Sequence, residues 1–92
     1  MGVPFELDGA RVILYTNNNE NNNFGYIHCG EQKEVVTGLA ITKYDNDESY
    51  YLFSCDLEWS VIGDTLHSTL EEAKECAKIS HNANDGIWHV AN

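Results

Sequence analysis

Residues 34–57 constrain the fold of this chain more than any other stretch. Val35, Thr37, Leu39 and Ile41 alternate with Val36, Gly38, Ala40 and Thr42. Further on, Tyr51, Phe53, Cys55 and Leu57 alternate with Tyr50, Leu52, Ser54 and Asp56. A period of two places each set on one face of a strand. The polar run Asp45-Asn46-Asp47-Glu48-Ser49 between them supplies turn formers, so an antiparallel hairpin is expected, with residues 34–44 as its longer arm.

The flanking segments add to that hairpin. Residues 11–16 are β-branched and aromatic and read as a first strand, and residues 24–29 as a second. Pro4 and Gly9 discourage regular structure in the lead-in. The asparagine-rich tract at 17–23 reads as an exposed loop, because Asn favours turns and tolerates left-handed backbone. Residues 58–63 form a weaker extended segment. One helix is marked by Ser68-Thr69-Leu70-Glu71, a capping box with Ser68 as the cap. Leu70, Ala73, Cys76, Ala77 and Ser80 give it a narrow stripe of small residues that suits close packing on a sheet. Asn82, Asn84 and Gly86 end it. Residues 87–90 are extended again, placed to add an edge strand or to pin Trp88 in the core. Ninety-two residues suffice for one domain. The expected fold is α+β: an antiparallel sheet of four to five strands, one helix in the C-terminal half packed on one face, and a short closing strand.

Charge narrows the functional classes. Fifteen acidic residues against five basic ones give a net charge of −10. Binding to nucleic acid or anionic lipid needs clustered Lys and Arg, which this chain lacks. No stretch has the charge and apolar pattern of a secretory signal or the length of a membrane span, and Glu6 stands where myristoylation after Gly2 would want Ser or Thr. Cytoplasmic location is expected. Three widely spaced cysteines, Cys29, Cys55 and Cys76, fit reduced thiols better than a disulfide framework.

The residues that could carry chemistry do not assemble by spacing. His28 and Cys29 are adjacent and would point to opposite faces of a strand, while His67, His81 and His89 stand alone, so no zinc pattern is present. Asp45, Asp47 and Ser49 begin like a calcium loop, but Tyr50 occupies the place of its glycine. Cys55 and Cys76 lie in apolar patterns and read as packing thiols. Asp56, Glu58 and Asp64 read as a solvated acidic face. No catalytic residue, cofactor or metal site is expected, and the chain reads as non-enzymatic.

Aromatic residues outnumber what one helix–sheet interface needs: Phe24, Tyr26, Tyr44, Tyr50, Tyr51, Phe53, Trp59 and Trp88. That surplus leads to the expectation of a homodimer in which sheet or edge packing completes the core. The stretch 51–90, with Leu-Phe-Ser-Cys-Asp-Leu-Glu-Trp, Gly-Asp-Thr-Leu-His-Ser-Thr-Leu-Glu-Glu-Ala-Lys and Gly-Ile-Trp, resembles small uncharacterised bacterial α+β proteins, some carried on mobile gene cassettes and some grouped with toxin-immunity proteins. The resemblance implies a fold and no catalytic residue. The functional expectation is an acidic protein-interaction module that contacts a basic protein partner through Asp45, Asp47, Glu48, Tyr50, Asp56 and Glu58. The alternative is a small-molecule binder with a pocket of Tyr51, Phe53, Trp59 and Trp88 that prefers cationic ligands.

Overall fold

Alternating apolar runs need partners for both their backbone groups and their buried faces, and the chain answers both needs with one antiparallel sheet. The computed structural model describes residues 2–91, with the backbone alone of Cys29. Its elements are β1 (Glu6–Leu7), β2 (Ala10–Tyr15), β3 (Tyr26–Cys29), β4 (Gln32–Val35), β5 (Gly38–Lys43), β6 (Tyr50–Cys55), β7 (Val61–His67), α1 (Leu70–His81), a 3-10 turn at Asp85–Ile87, and β8 (His89–Val90). The main sheet runs β1-β2-β5-β6-β7, with β8 also paired to β2, and β3-β4 form a separate two-stranded ribbon. The fold is therefore α+β as expected, with one helix against a curled antiparallel sheet and a short closing strand.

The expected hairpin is β5–β6, with Ala40 opposite Phe53 and Ile41 opposite Leu52. Its longer arm, however, is two strands rather than one. Residues 32–35 pair with β3, and the chain crosses to the main sheet at Val36-Thr37, where the Val36 N–H donates to Gly25 O and the Thr37 N–H to Cys55 O. The asparagine tract holds this crossing, which corrects its reading as a merely exposed loop. Asn18 Nδ2 donates to Asp56 O at 2.7 Å and its Oδ1 accepts from Thr37 Oγ1 at 2.6 Å. Asn22 Nδ2 donates to Thr37 O at 2.7 Å and to Asn17 O at 2.8 Å. Gly38 admits Asn18: a Cβ there would lie 2.7 Å from Asn18 Nδ2.

Three local expectations shift. Asp8 and Gly9 both have positive φ (50° and 84°), so the lead-in contains a two-residue turn joining β1 to β2 rather than irregular chain. The weak segment at 58–63 is a tight turn followed by a seven-residue strand, β7. The helix cap lies one residue later than read: Thr69 Oγ1 accepts from the Glu72 N–H, and Glu72 Oε1 accepts from the Ser68 N–H. Asn82, left-handed at φ 58°, closes the other end.

The sheet buries both faces. On one, Ala73 and Ala77 of α1 pack with Leu14, Phe24, Val36, Leu39, Ile41 and Leu52, and Trp88 joins their rim. Ser80, placed on the helix stripe by spacing, is exposed. On the other, Leu7, Ala10, Val12, Ala40, Phe53, Cys55 and Trp59 form a second cluster, flanked by Tyr15, Tyr44 and Tyr51. Register shifts at Val12/Leu14 and Ser54/Cys55 bend β2 and the β6–β7 pair. Trp59, held at φ 63° by the turn after β6, folds back to 4 % exposure. The chain itself therefore covers the second face, and the aromatic surplus supplies no argument for a partner.

Replacing Asn18 with Ala is expected to leave Thr37 Oγ1 unpaired, to take from Asp56 O one of its two donors, the Trp59 N–H remaining, and to cost about 1–3 kcal/mol in urea unfolding. Exposed Asn23, changed to Ala, should stay within about 0.5 kcal/mol of wild type. Equal effects at both positions would contradict the assigned role of Asn18.

Candidate functional site

The crossing at Val36-Thr37 sets the β3–β4 ribbon beside the β6–β7 turn, and a groove of about 370 Å³ lies between them, lined by Lys33, Glu34, Val35, Thr37, Asp56, Leu57 and Glu58. Val35 and Leu57 are 57 % and 48 % exposed there. Three of its side chains are acidic and one is basic. That one, Lys33, has its Nζ 4.5 Å above the ring of Tyr26. The groove thus joins two apolar contact points to a carboxylate border.

Asp56 shapes this border and is fixed by it. Its Oδ1 accepts the N–H groups of Glu58 and Ser60, both at 2.9 Å, which forms the turn that exposes Leu57 and Glu58. Of the six residues expected to contact a partner, Asp56 and Glu58 lie in the groove. Asp45, Asp47, Glu48 and Tyr50 sit at the other end of β6, about 20 Å away at the rise of an extended strand. Asp47 does a similar turn-forming job there, accepting from the Ser49 N–H at 2.9 Å. The six residues form two acidic poles, not one surface.

The aromatic set also divides. Tyr51, Phe53 and Trp59 share the second cluster, with Tyr51 and Phe53 ring centroids 6.0 Å apart. Trp88 belongs to the cluster on the opposite face. Phe53 is 2 % exposed, so it serves packing rather than a ligand. Both tryptophans bury their indole N–H without a protein acceptor. Such a group costs about 1–3 kcal/mol, so the ring volume is what these positions use.

Two polar constellations were not legible from spacing. His81 at the end of α1 lies with Nδ1 2.8 Å from Phe24 O and Nε2 3.3 Å from Ser54 Oγ. A carbonyl only accepts, so Nδ1 carries the proton and Nε2 is free to accept from Ser54. The pair has the form of a serine with its base, but Ser54 is 3 % exposed and out of reach of a substrate. It ties β6 and the chain entering β3 to the helix. Thr65 Oγ1 lies 2.7 Å from His67 Nε2 and 3.8 Å from Cys76 Sγ, so Thr65 stands between that thiol and that imidazole. Burial, with Asp56 and Asp8 adding to it, pushes the Cys55 thiol up to about 12 from its usual 9.0. It is a neutral packing group. Among the described residues, no three His, Cys, Asp or Glu side chains gather to hold a metal ion.

Spacing also misplaced Val35 and Leu57, which it put in step with buried neighbours. The signal was Gly38, since a glycine inside a strand pattern marks a bulge or a close approach. No protein-family model, curated protein or solved structure matches the chain.

The folded state holds the Cys55 proton to about pH 12, whereas the unfolded chain releases it near 9.0. Cys55 therefore lowers stability as pH rises from about 9, because the unfolded state binds fewer protons there. Urea midpoints should fall more steeply from about pH 8 to about 10.5 in wild type than in Cys55→Ala, and parallel profiles would contradict this. The His81 assignment is tested by imidazole nitrogen NMR, which should report the Nδ1–H tautomer at neutral pH. The Nε2–H form would overturn it.

Proposed function

We propose that the protein is a non-enzymatic interaction module whose groove between β4 and the β6–β7 turn receives a protein partner carrying basic side chains beside an apolar one. The observation behind this reading is the composition of that single cleft, in which exposed Val35 and Leu57 are bordered by Glu34, Asp56 and Glu58. Apolar contact supplies affinity when water leaves the groove, and the carboxylates select Lys or Arg on the incoming surface. A net charge of −10 adds long-range attraction and a fast encounter. The second acidic pole, at Asp45, Asp47 and Glu48, would extend the contact with a large partner. A basic toxin held by an acidic immunity protein is the version of this reading that the resemblance over residues 51–90 suggests. The division of Tyr51, Phe53 and Trp59 from Trp88 gives the small-ligand alternative no common pocket.

Affinity capture from lysate, with wild-type protein and the Leu57→Asp and Glu58→Lys variants, tests the proposal at low and high salt. The expected result is a basic protein retained by wild type at low salt, released at high salt, and lost with either variant. Capture that ignores both salt and the two substitutions would overturn it.

A further inference from the structure

The two edges of the main sheet are treated differently. Along β2 the edge is closed by the chain's own ends: β1 pairs with Ala10 and Arg11, and β8 with Leu14 and Tyr15. Along β7, β6 is the only paired strand among the described residues. Asp64, Thr65 and Leu66 are exposed there, Leu66 at 59 %. An open edge is a template for a further strand.

The direction of its free groups follows from two bonds. Thr37 donates to Cys55 O, which turns the main-chain groups of Cys55 toward β5. Asp56 donates to Ser60 O, which turns those of Asp56 toward β7. Alternation along β6 then turns Ser54, Leu52 and Tyr50 to β7, so their opposites Gly63, Thr65 and His67 face inward. The N–H and C=O of Asp64 and Leu66 point away from the sheet.

We infer that two copies of this chain pair antiparallel through β7, with Thr65 on the two-fold axis. In this register Asp64 of each copy exchanges both main-chain bonds with Leu66 of the other, which uses every outward group of Asp64 and Leu66. Thr65 meets its own equivalent, a favourable cross-strand pair. Each Asp64 carboxylate lies opposite a leucine, and each His67 lies opposite Gly63, where it meets Ile27, whose side chain fills the space over that glycine. Neighbouring registers are worse. Centring on Asp64 sets two carboxylates face to face, and centring on Leu66 makes Ser68 the partner of Asp64, whose carbonyl then loses its donor because the Ser68 N–H already serves Glu72. The pairing is self-complementary without a large apolar area, and each copy carries −10, so the dimer is weak and charge opposes it. Added salt therefore strengthens it, the opposite sign to the basic-partner contact at the groove.

Sedimentation of the full chain from about 10 μM to about 1 mM, with amide exchange followed by NMR, tests this. The expected result is a concentration-dependent dimer that tightens with salt and in Asp64→Asn. The amides of Asp64 and Leu66 should gain protection with concentration, while those of Gly63, Thr65 and His67 stay protected throughout. Leu66→Lys should abolish the dimer, as should Leu66→Pro, which removes one outward donor. A monomer throughout the range at high salt would overturn the inference, as would a dimer that survives both Leu66 variants or leaves the Asp64 and Leu66 amides unprotected.

Discussion

The crossing at Val36-Thr37 is the constraint on which the rest of the structure depends. A continuous strand over residues 34–44 would extend one sheet. Instead the chain leaves the β3–β4 ribbon and enters the main sheet within two residues. Such a step would leave buried backbone and hydroxyl groups without partners, and Asn18 and Asn22 supply them from a loop some fifteen to nineteen residues away in sequence. An amide side chain both donates and accepts, so one Asn bridges Thr37 Oγ1 and Asp56 O at once. Gly38 leaves the room that this requires.

Burial on two faces is the second consequence. The helix needs only alanines at Ala73 and Ala77 to lie close on β5 and β6, so one slim helix suffices for its side. The opposite side is closed by bending. Two register shifts curl the sheet, and the turn after β6 returns Trp59 over Phe53 and Cys55. Bulges and a left-handed tryptophan are costly locally, and the buried area of the aromatic core offsets them. A sheet that curls onto its own aromatics leaves exposed apolar groups at its margins. Val35, Leu57 and Leu66 are among them, and they fall where the groove and the free edge lie.

Much of the architecture was legible because it depends on local periodicity. The β5–β6 pairing follows from alternation on both sides of a five-residue polar run. The helix follows from its cap residues and small-residue stripe, although the cap is Thr69 and not Ser68, since both positions carry a hydroxyl with an acidic residue three places on. The groove was half legible: Asp56 and Glu58 stood out as acidic, but parity placed Val35 and Leu57 in step with interior residues. Parity holds only while a strand continues, and both residues lie just beyond a break in it. His81 and Ser54, 27 positions apart in sequence, met through folding alone.

By itself, the sequence determined the fold class, the central hairpin, the single helix and the strongly acidic character, because each arises from residues close together in the chain. Tertiary structure decided where the long run breaks, what covers the second face, which acidic residues share a cleft and which edge of the sheet stays open. Those outcomes depend on bonds between residues such as Asn18 and Thr37, or Ser54 and His81, that no local pattern brings into register. Packing both faces of one curled sheet sets them together, and side-chain spacing along the chain carries no record of that closure.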